Sequence, residues 1–126
     1  MSHSWSISDA EAVVMQVLWQ RHPLAAEDVF AAVAAHSGWA EPTVKTLLNR
    51  LLNKGAIAAE KEGRRYLYSP RIARTQWVQQ QSEGLVDRVF GGRVAPLVAH
   101  FSERGKLTPE DIAELKRLVQ ELDDEG

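Results

Sequence analysis

The run from Trp39 to Gly55 constrains the fold more than any other stretch of the chain. Within it Val44, Leu47, Leu48, Leu51 and Leu52 recur at the i, i+3, i+4, i+7, i+8 spacing of an amphipathic helix. Pro42 suits the first turn, where its missing N–H leaves no bond unmade, and Gly55 suits the left-handed residue that follows the last turn. Opposite the apolar stripe lie Thr46, Asn49, Arg50 and Asn53, flanked by Thr43, Lys45 and Lys54. That face carries three cations and no carboxylate. Long basic donors and short hydroxyl or amide groups are the side chains that meet phosphates and base edges in a major groove.

The sequence that follows fits this reading. Residues 56–62 and 65–69 are short, contain Ile57, Tyr66 and Tyr68, and meet through Gly63, the pattern of a β-hairpin. Arg64 and Arg65 fall at its tip and Lys61 on the approach. A helix with a basic outer face followed by a hairpin with a basic tip describes a winged helix-turn-helix that binds double-stranded DNA. The candidate DNA-binding residues are therefore Thr43, Lys45, Thr46, Asn49, Arg50, Lys54, Lys61, Arg64 and Arg65. A basic face is also what an ordinary solvated helix shows, and Thr43 has a competing role at the helix terminus. Winged helices also serve as protein-interaction modules without DNA, and a net charge of −2 fits that use.

Upstream, Ser8-Asp9-Ala10-Glu11 has the form of a capping box. It predicts a helix to about residue 21, stopped by His22-Pro23, then at most a stub of strand and a second helix over 27–36. Trp19 and Trp39 are expected to be buried rather than stacked on bases. The expected architecture is mainly α with a small β-hairpin: a winged helix-turn-helix domain over 1–70 and a helical dimerisation domain over 71–126. In the second part, helices are predicted over 72–90, over 94–103 and from Thr108, which has Pro109, Glu110 and Asp111 behind it as a helix start. Their apolar positions, Leu85, Val89, Phe90, Leu97, Phe101, Ile112, Leu115, Leu118, Val119 and Leu122, are more than one chain can cover. The expectation is an isologous homodimer that presents two reading helices to a dyad-symmetric, palindromic operator.

Composition narrows the remaining classes. The 126 residues contain no cysteine, which excludes disulfides and thiolate chemistry. The four histidines form no carboxylate cluster of metal-binding spacing, and no nucleophile elbow, phosphate-cradling glycine loop or paired-carboxylate cleft occurs. Neither an enzyme, a metal site nor a cofactor is expected. No apolar run of transmembrane length or signal-peptide pattern is present, so the expectation is a soluble cytoplasmic protein with no membrane insertion. Charge is unevenly placed: residues 43–65 carry six basic and two acidic side chains, residues 106–126 three basic and seven acidic. A basic centre and an acidic tail suit one face turned to phosphate and the far end turned to water.

Several motifs together resemble one family. They are Ile7-Ser8-Asp9-Ala10-Glu11, Val17-Leu18-Trp19, the run from Thr43-Val44-Lys45-Thr46 to Leu51, Lys54-Gly55-Ala56, Lys61-Glu62-Gly63-Arg64, Tyr68-Ser69-Pro70 and Phe90-Gly91-Gly92. The combination is similar to the penicillinase-repressor family, which includes methicillin-resistance and copper-transport repressors. The resemblance implies a winged-helix repressor of antibiotic-resistance or related genes, with Thr43 and Thr46 as readers, Lys45, Asn49 and Arg50 beside them, and Arg64 on the wing. It also implies relief of repression by a membrane sensor metalloprotease cutting before a Phe in the dimerisation region, here His100–Phe101. The family's Asn before that bond is replaced by His100, Glu41-Pro42 stands where a basic or polar residue often precedes the first Thr, and the cysteines of copper-responsive members are absent.

Overall fold

A computed structural model describes residues 6–125. The element order is α1 (Asp9–Gln20), β1 (Leu24–Ala25), α2 (Ala26–Ser37), α3 (Glu41–Lys54), β2 (Ile57–Glu62), β3 (Arg65–Pro70), α4 (Arg74–Phe90), α5 (Val94–Glu103) and α6 (Pro109–Glu125). Three helices, a strand stub and a hairpin in that order are a winged helix, as the sequence predicts. The described residues form two compact units, divided between Gln80 and Gln81. The boundary expected at 70/71 marks the end of the wing; the first unit also takes in Ile72 and the start of α4.

Local signals set the helix ends. Ser8 caps α1 as a complete capping box: its hydroxyl accepts from the Glu11 N–H at 3.1 Å, and Glu11 Oε1 accepts from the Ser8 N–H at 2.9 Å. Gly55 ends α3 in the left-handed region at φ 76°, and its N–H reaches back to the carbonyls of Leu51 and Leu52. Thr108 starts α6, its hydroxyl accepting from the Asp111 N–H at 3.0 Å while Asp111 Oδ2 accepts from the Thr108 N–H at 3.0 Å.

The core of the first unit is built from one face of each element. Val14, Met15 and Leu18 of α1, Val29 and Val33 of α2, and Val44, Leu47, Leu48 and Leu51 of α3 are all buried, together with Leu24, Ile57 and Ile72. Burying side chains of this size contributes about 1.5–3 kcal/mol each relative to exposure. The sheet order is β1-β3-β2, antiparallel throughout, with Leu24 opposite Tyr68 and Ala25 opposite Leu67. Trp19 is half-buried as a packing residue. Its indole N–H donates to the Ile72 carbonyl at 2.9 Å and its ring lies 5.4 Å from that of Trp77, which ties the start of α4 to α1. Trp39 likewise packs against the core.

The second unit is different in kind. From Gln81 on, no side chain of the rest of α4, of α5 or of α6 is buried. Leu85, Val89, Phe101, Ile112, Leu118, Val119 and Leu122 are exposed, reaching 60% at Val89 and 67% at Leu122. Among the described residues, no helix is long and apolar enough to cross a membrane.

Candidate nucleic-acid interface

Because α3 turns Val44, Leu47, Leu48 and Leu51 into the core, with Leu52 half-buried beside them, the opposite side is turned to solvent by geometry alone. Thr43, Lys45, Thr46, Asn49 and Arg50 are all exposed along it. The turn before α3 supplies no side-chain cap; Ala40 holds the N-cap position. Thr43 therefore does not perform the capping role that competed with base contact. The Thr46 hydroxyl donates to the Pro42 carbonyl at 3.0 Å, one turn back. Its proton is thereby committed, and its oxygen faces outward as an acceptor.

The wing is a two-residue hairpin. Glu62 pairs with Arg65 and Lys61 with Tyr66, leaving Gly63 and Arg64 as the loop. Gly63 has φ 64° and Arg64 a negative φ, the backbone of a II′ turn, whose twist suits the flanking strands. Lys61, Arg64 and Arg65 are exposed. Neither they nor Arg50 enter an ion pair among the described residues. Tyr66 and Tyr68 share one face of β3 but divide their tasks. Tyr68 packs toward the core, and Tyr66, nearer the tip, is 52% exposed.

Helix and wing are brought together. Lys45 of α3 and Arg65, Tyr66 and Tyr68 of β3 line one hollow of about 260 Å³, along with Glu27 and Glu41. Two features depart from a uniformly basic face. Glu41 belongs to α3, and its Oε1 lies 3.5 Å from Lys45 Nζ, both side chains exposed. The first turn of the helix thus carries a carboxylate paired to an expected DNA contact. Lys54 departs further. Its ammonium donates to Glu11 Oε1 at 2.6 Å and to the Ser6 carbonyl at 2.5 Å. Glu11 is 1% exposed, so the Lys54 ammonium is held by a buried carboxylate although its own side chain stays 37% exposed.

Burial would raise the pKa of Glu11; hydrogen bonds from Lys54 and from the Ser8 N–H and hydroxyl, with the Lys54 charge, more than offset it and hold the carboxyl below its usual value. Sequence reading found Glu11 only as a cap. Its partner is 43 residues away, and no local pattern announces the pair. Tyr66 was legible as a strand residue; its exposure follows from the register, which places it opposite Lys61 beyond the edge of the core.

Comparison with known proteins gives this geometry a context. The chain is 34% identical over 115 residues to the penicillinase repressor of Bacillus licheniformis, covering 91% of this chain and 90% of that one. It is 26% identical over 116 residues to the methicillin resistance regulatory protein MecI of Staphylococcus aureus (strain N315), covering 92% and 94%. Among solved structures, the DNA-binding domain of the repressor BlaI superposes with a TM-score of 0.54 at 37% identity, over 60% of this chain and 93% of that one. The monomeric form of Bacillus licheniformis BlaI in complex with the blaP half-operator gives 0.53 at 37% identity, with the same coverage. The family model for the penicillinase repressor matches residues 7–121, and the chain belongs to that family.

Proposed function

We propose that this protein is a homodimeric, sequence-specific transcriptional repressor that binds a palindromic operator through α3 and the wing. The observation that carries the reading is the division of α3. Val44, Leu47, Leu48 and Leu51 are buried in the domain, with Leu52 half-buried beside them, while Thr43, Thr46, Asn49 and Arg50 stand exposed on the other side, next to a wing tip bearing Lys61, Arg64 and Arg65. A related repressor of 37% identity has been solved on an operator half-site, which supports carrying the same use to this surface. Arg50, Lys61, Arg64 and Arg65, with Lys45, would neutralise phosphates; Thr43, Thr46 and Asn49 would read base edges.

The second unit supplies the subunit contact in this proposal. Leu85, Val89, Phe101, Ile112, Leu118, Val119 and Leu122 are exposed, and the half-buried Phe90, Leu97 and Leu115 lie beside them. A hollow of about 380 Å³ between α5 and α6, lined by apolar residues such as Leu97, Phe101 and Leu115 and rimmed by Lys106, Asp111 and Glu114, would give a second copy a seat. Relief by a membrane metalloprotease belongs to the same proposal, with His100–Phe101 as the cut. Within one chain no side chain of this ten-residue helix is fully buried, so once the copies part it opens locally at small cost.

The test is a titration of DNA binding against salt, comparing a duplex from the protein's own promoter with a random duplex of equal length. Preference for the promoter and a log–log slope steeper than about −4 are expected from several phosphate contacts per subunit. Equal affinity for both duplexes, or a flat salt response, overturns the reading.

A further inference from the structure

The reading helix and the wing are joined by two residues, Gly55 and Ala56. Lys54 ends α3, Gly55 turns the chain and Ile57 already belongs to β2. Local backbone bonds make the joint compact: the Ala56 N–H donates to the Leu51 carbonyl at 3.0 Å, and the Ala56 carbonyl accepts from the Arg71 N–H at 2.8 Å. The end of α3 therefore sets both where β2 begins and where β3 ends. A polar tie runs from this joint to the start of α1. Lys54 Nζ binds Glu11 Oε1 at 2.6 Å and the Ser6 carbonyl at 2.5 Å.

A buried carboxylate is an expensive way to secure a helix start. An exposed Glu or Gln at the same position would complete the capping box equally well. Glu11 is instead 1% exposed, and its Oε2 has no hydrogen-bond donor among the described residues. Buried ion pairs add little net stability over apolar residues of similar size, and their better-attested use is to select one geometry. The geometry selected here is the angle between two elements that must meet one duplex together.

We infer that Glu11 is a positioning residue for DNA recognition: through Lys54 it holds the joint between α3 and the wing, so that helix and wing engage the same duplex in register. This rests on the DNA-reading function proposed above. It assigns Lys54 to orientation rather than to phosphate, and it makes specificity, not general affinity, the property Glu11 controls.

The experiment uses the full chain, a duplex selected by the wild-type protein from a random pool, and a random duplex of the same length. Wild type is compared with the double variant Glu11→Leu/Lys54→Met, which replaces the pair by apolar side chains of similar size, at a temperature where each is fully folded. Binding to random duplex should stay within about twofold, because Arg50, Lys61, Arg64 and Arg65 are untouched, while the selected-to-random ratio falls about tenfold or more. Arg64→Ala should also weaken binding to the selected duplex less in the double variant than in wild type, since a wing out of register has less to lose. A merely structural pair would move neither the ratio nor this coupling. If the double variant does not fold, Glu11→Gln, which keeps the size and removes the charge, carries the same two readouts. A ratio within about twofold of wild type in a folded variant overturns the positioning role. A wild-type protein with no preference at all overturns the DNA-reading proposal and this one with it, an outcome distinct from the first.

Discussion

Glu41 Oε1 lies 3.5 Å from Lys45 Nζ, one turn apart at the start of α3, and both side chains are more than half exposed. An exposed i,i+4 pair of this kind contributes only a few tenths of a kcal/mol to the fold. Its larger effect is on what approaches the helix, since the carboxylate offsets a cation expected to face phosphate. Glu41→Gln should therefore raise affinity for all duplexes by about twofold to tenfold and steepen the salt slope by up to about one, with the melting temperature nearly unchanged. Anisotropy titrations at several salt concentrations read both quantities.

The Thr46 hydroxyl donates within the helix, to the Pro42 carbonyl, and can therefore only accept from a base. Thr46→Val keeps the shape and the methyl group while removing that oxygen. It should relax preference at one base pair, where an adenine or cytosine amino group is the donor, at a cost of about 1–3 kcal/mol on the selected site. Arg64→Ala should weaken every duplex by a similar factor and flatten the salt slope. Binding to a panel of single-base variants separates the two patterns.

Lys54→Met leaves Glu11 buried without its cation. Breaking a fully buried pair costs about 3–5 kcal/mol, and partial exposure of Lys54 reduces this to about 2–3 kcal/mol. The folded-state pKa of Glu11 lies below its ordinary carboxylate value, so the stability it supplies is present above that value and lost as pH falls through the folded pKa. Wild type should thus lose stability on acidification from about pH 5 downward, and Glu11→Gln should show a shallower loss over the same range. Urea unfolding at a series of pH values measures both slopes.

Leu122→Lys and Val119→Asp place charges on the apolar stripe of α6, where both native side chains are more than half exposed. Neither substitution should disturb the winged helix. Each should shift sedimentation equilibrium from dimer toward monomer and reduce affinity for a full dyad far more than for a half-site, because linkage of two heads is worth about 10²–10⁴ in avidity. A dimeric mass in both variants would move the subunit contact elsewhere.

The parts of this fold that sequence reveals are those whose causes are close along the chain. Pro42, Gly55 and the stripe from Val44 to Leu52 define α3 because a helix is held by neighbours three and four residues apart. Gly63 between two short alternating segments defines the wing for the same reason. β1 was legible only as a stub. Its two residues are strand because Tyr68 and Leu67, far along the chain, offer them a ladder. A helical wheel puts Lys54 with the DNA-facing set; it shows which side a residue leaves from, not the distant Glu11 that its long side chain reaches. Glu41 departs from the family's pattern, and its i,i+4 spacing to Lys45 already contains the ion pair. In sequence Thr43 also suits a helix terminus, but the helix begins two residues earlier, at Glu41, and Ala40 takes that place.

Helices of ten and seventeen residues that bury no side chain of their own cannot hold their shape in water by backbone bonds alone. Whatever covers α5 and α6 therefore completes their folding as well as binding them. If the cover is another copy, the integrity of each molecule depends on how many others are present. Melting temperature would then climb with protein concentration, and a scarce repressor would be a fragile one, so that dilution at cell division and susceptibility to degradation act in the same direction.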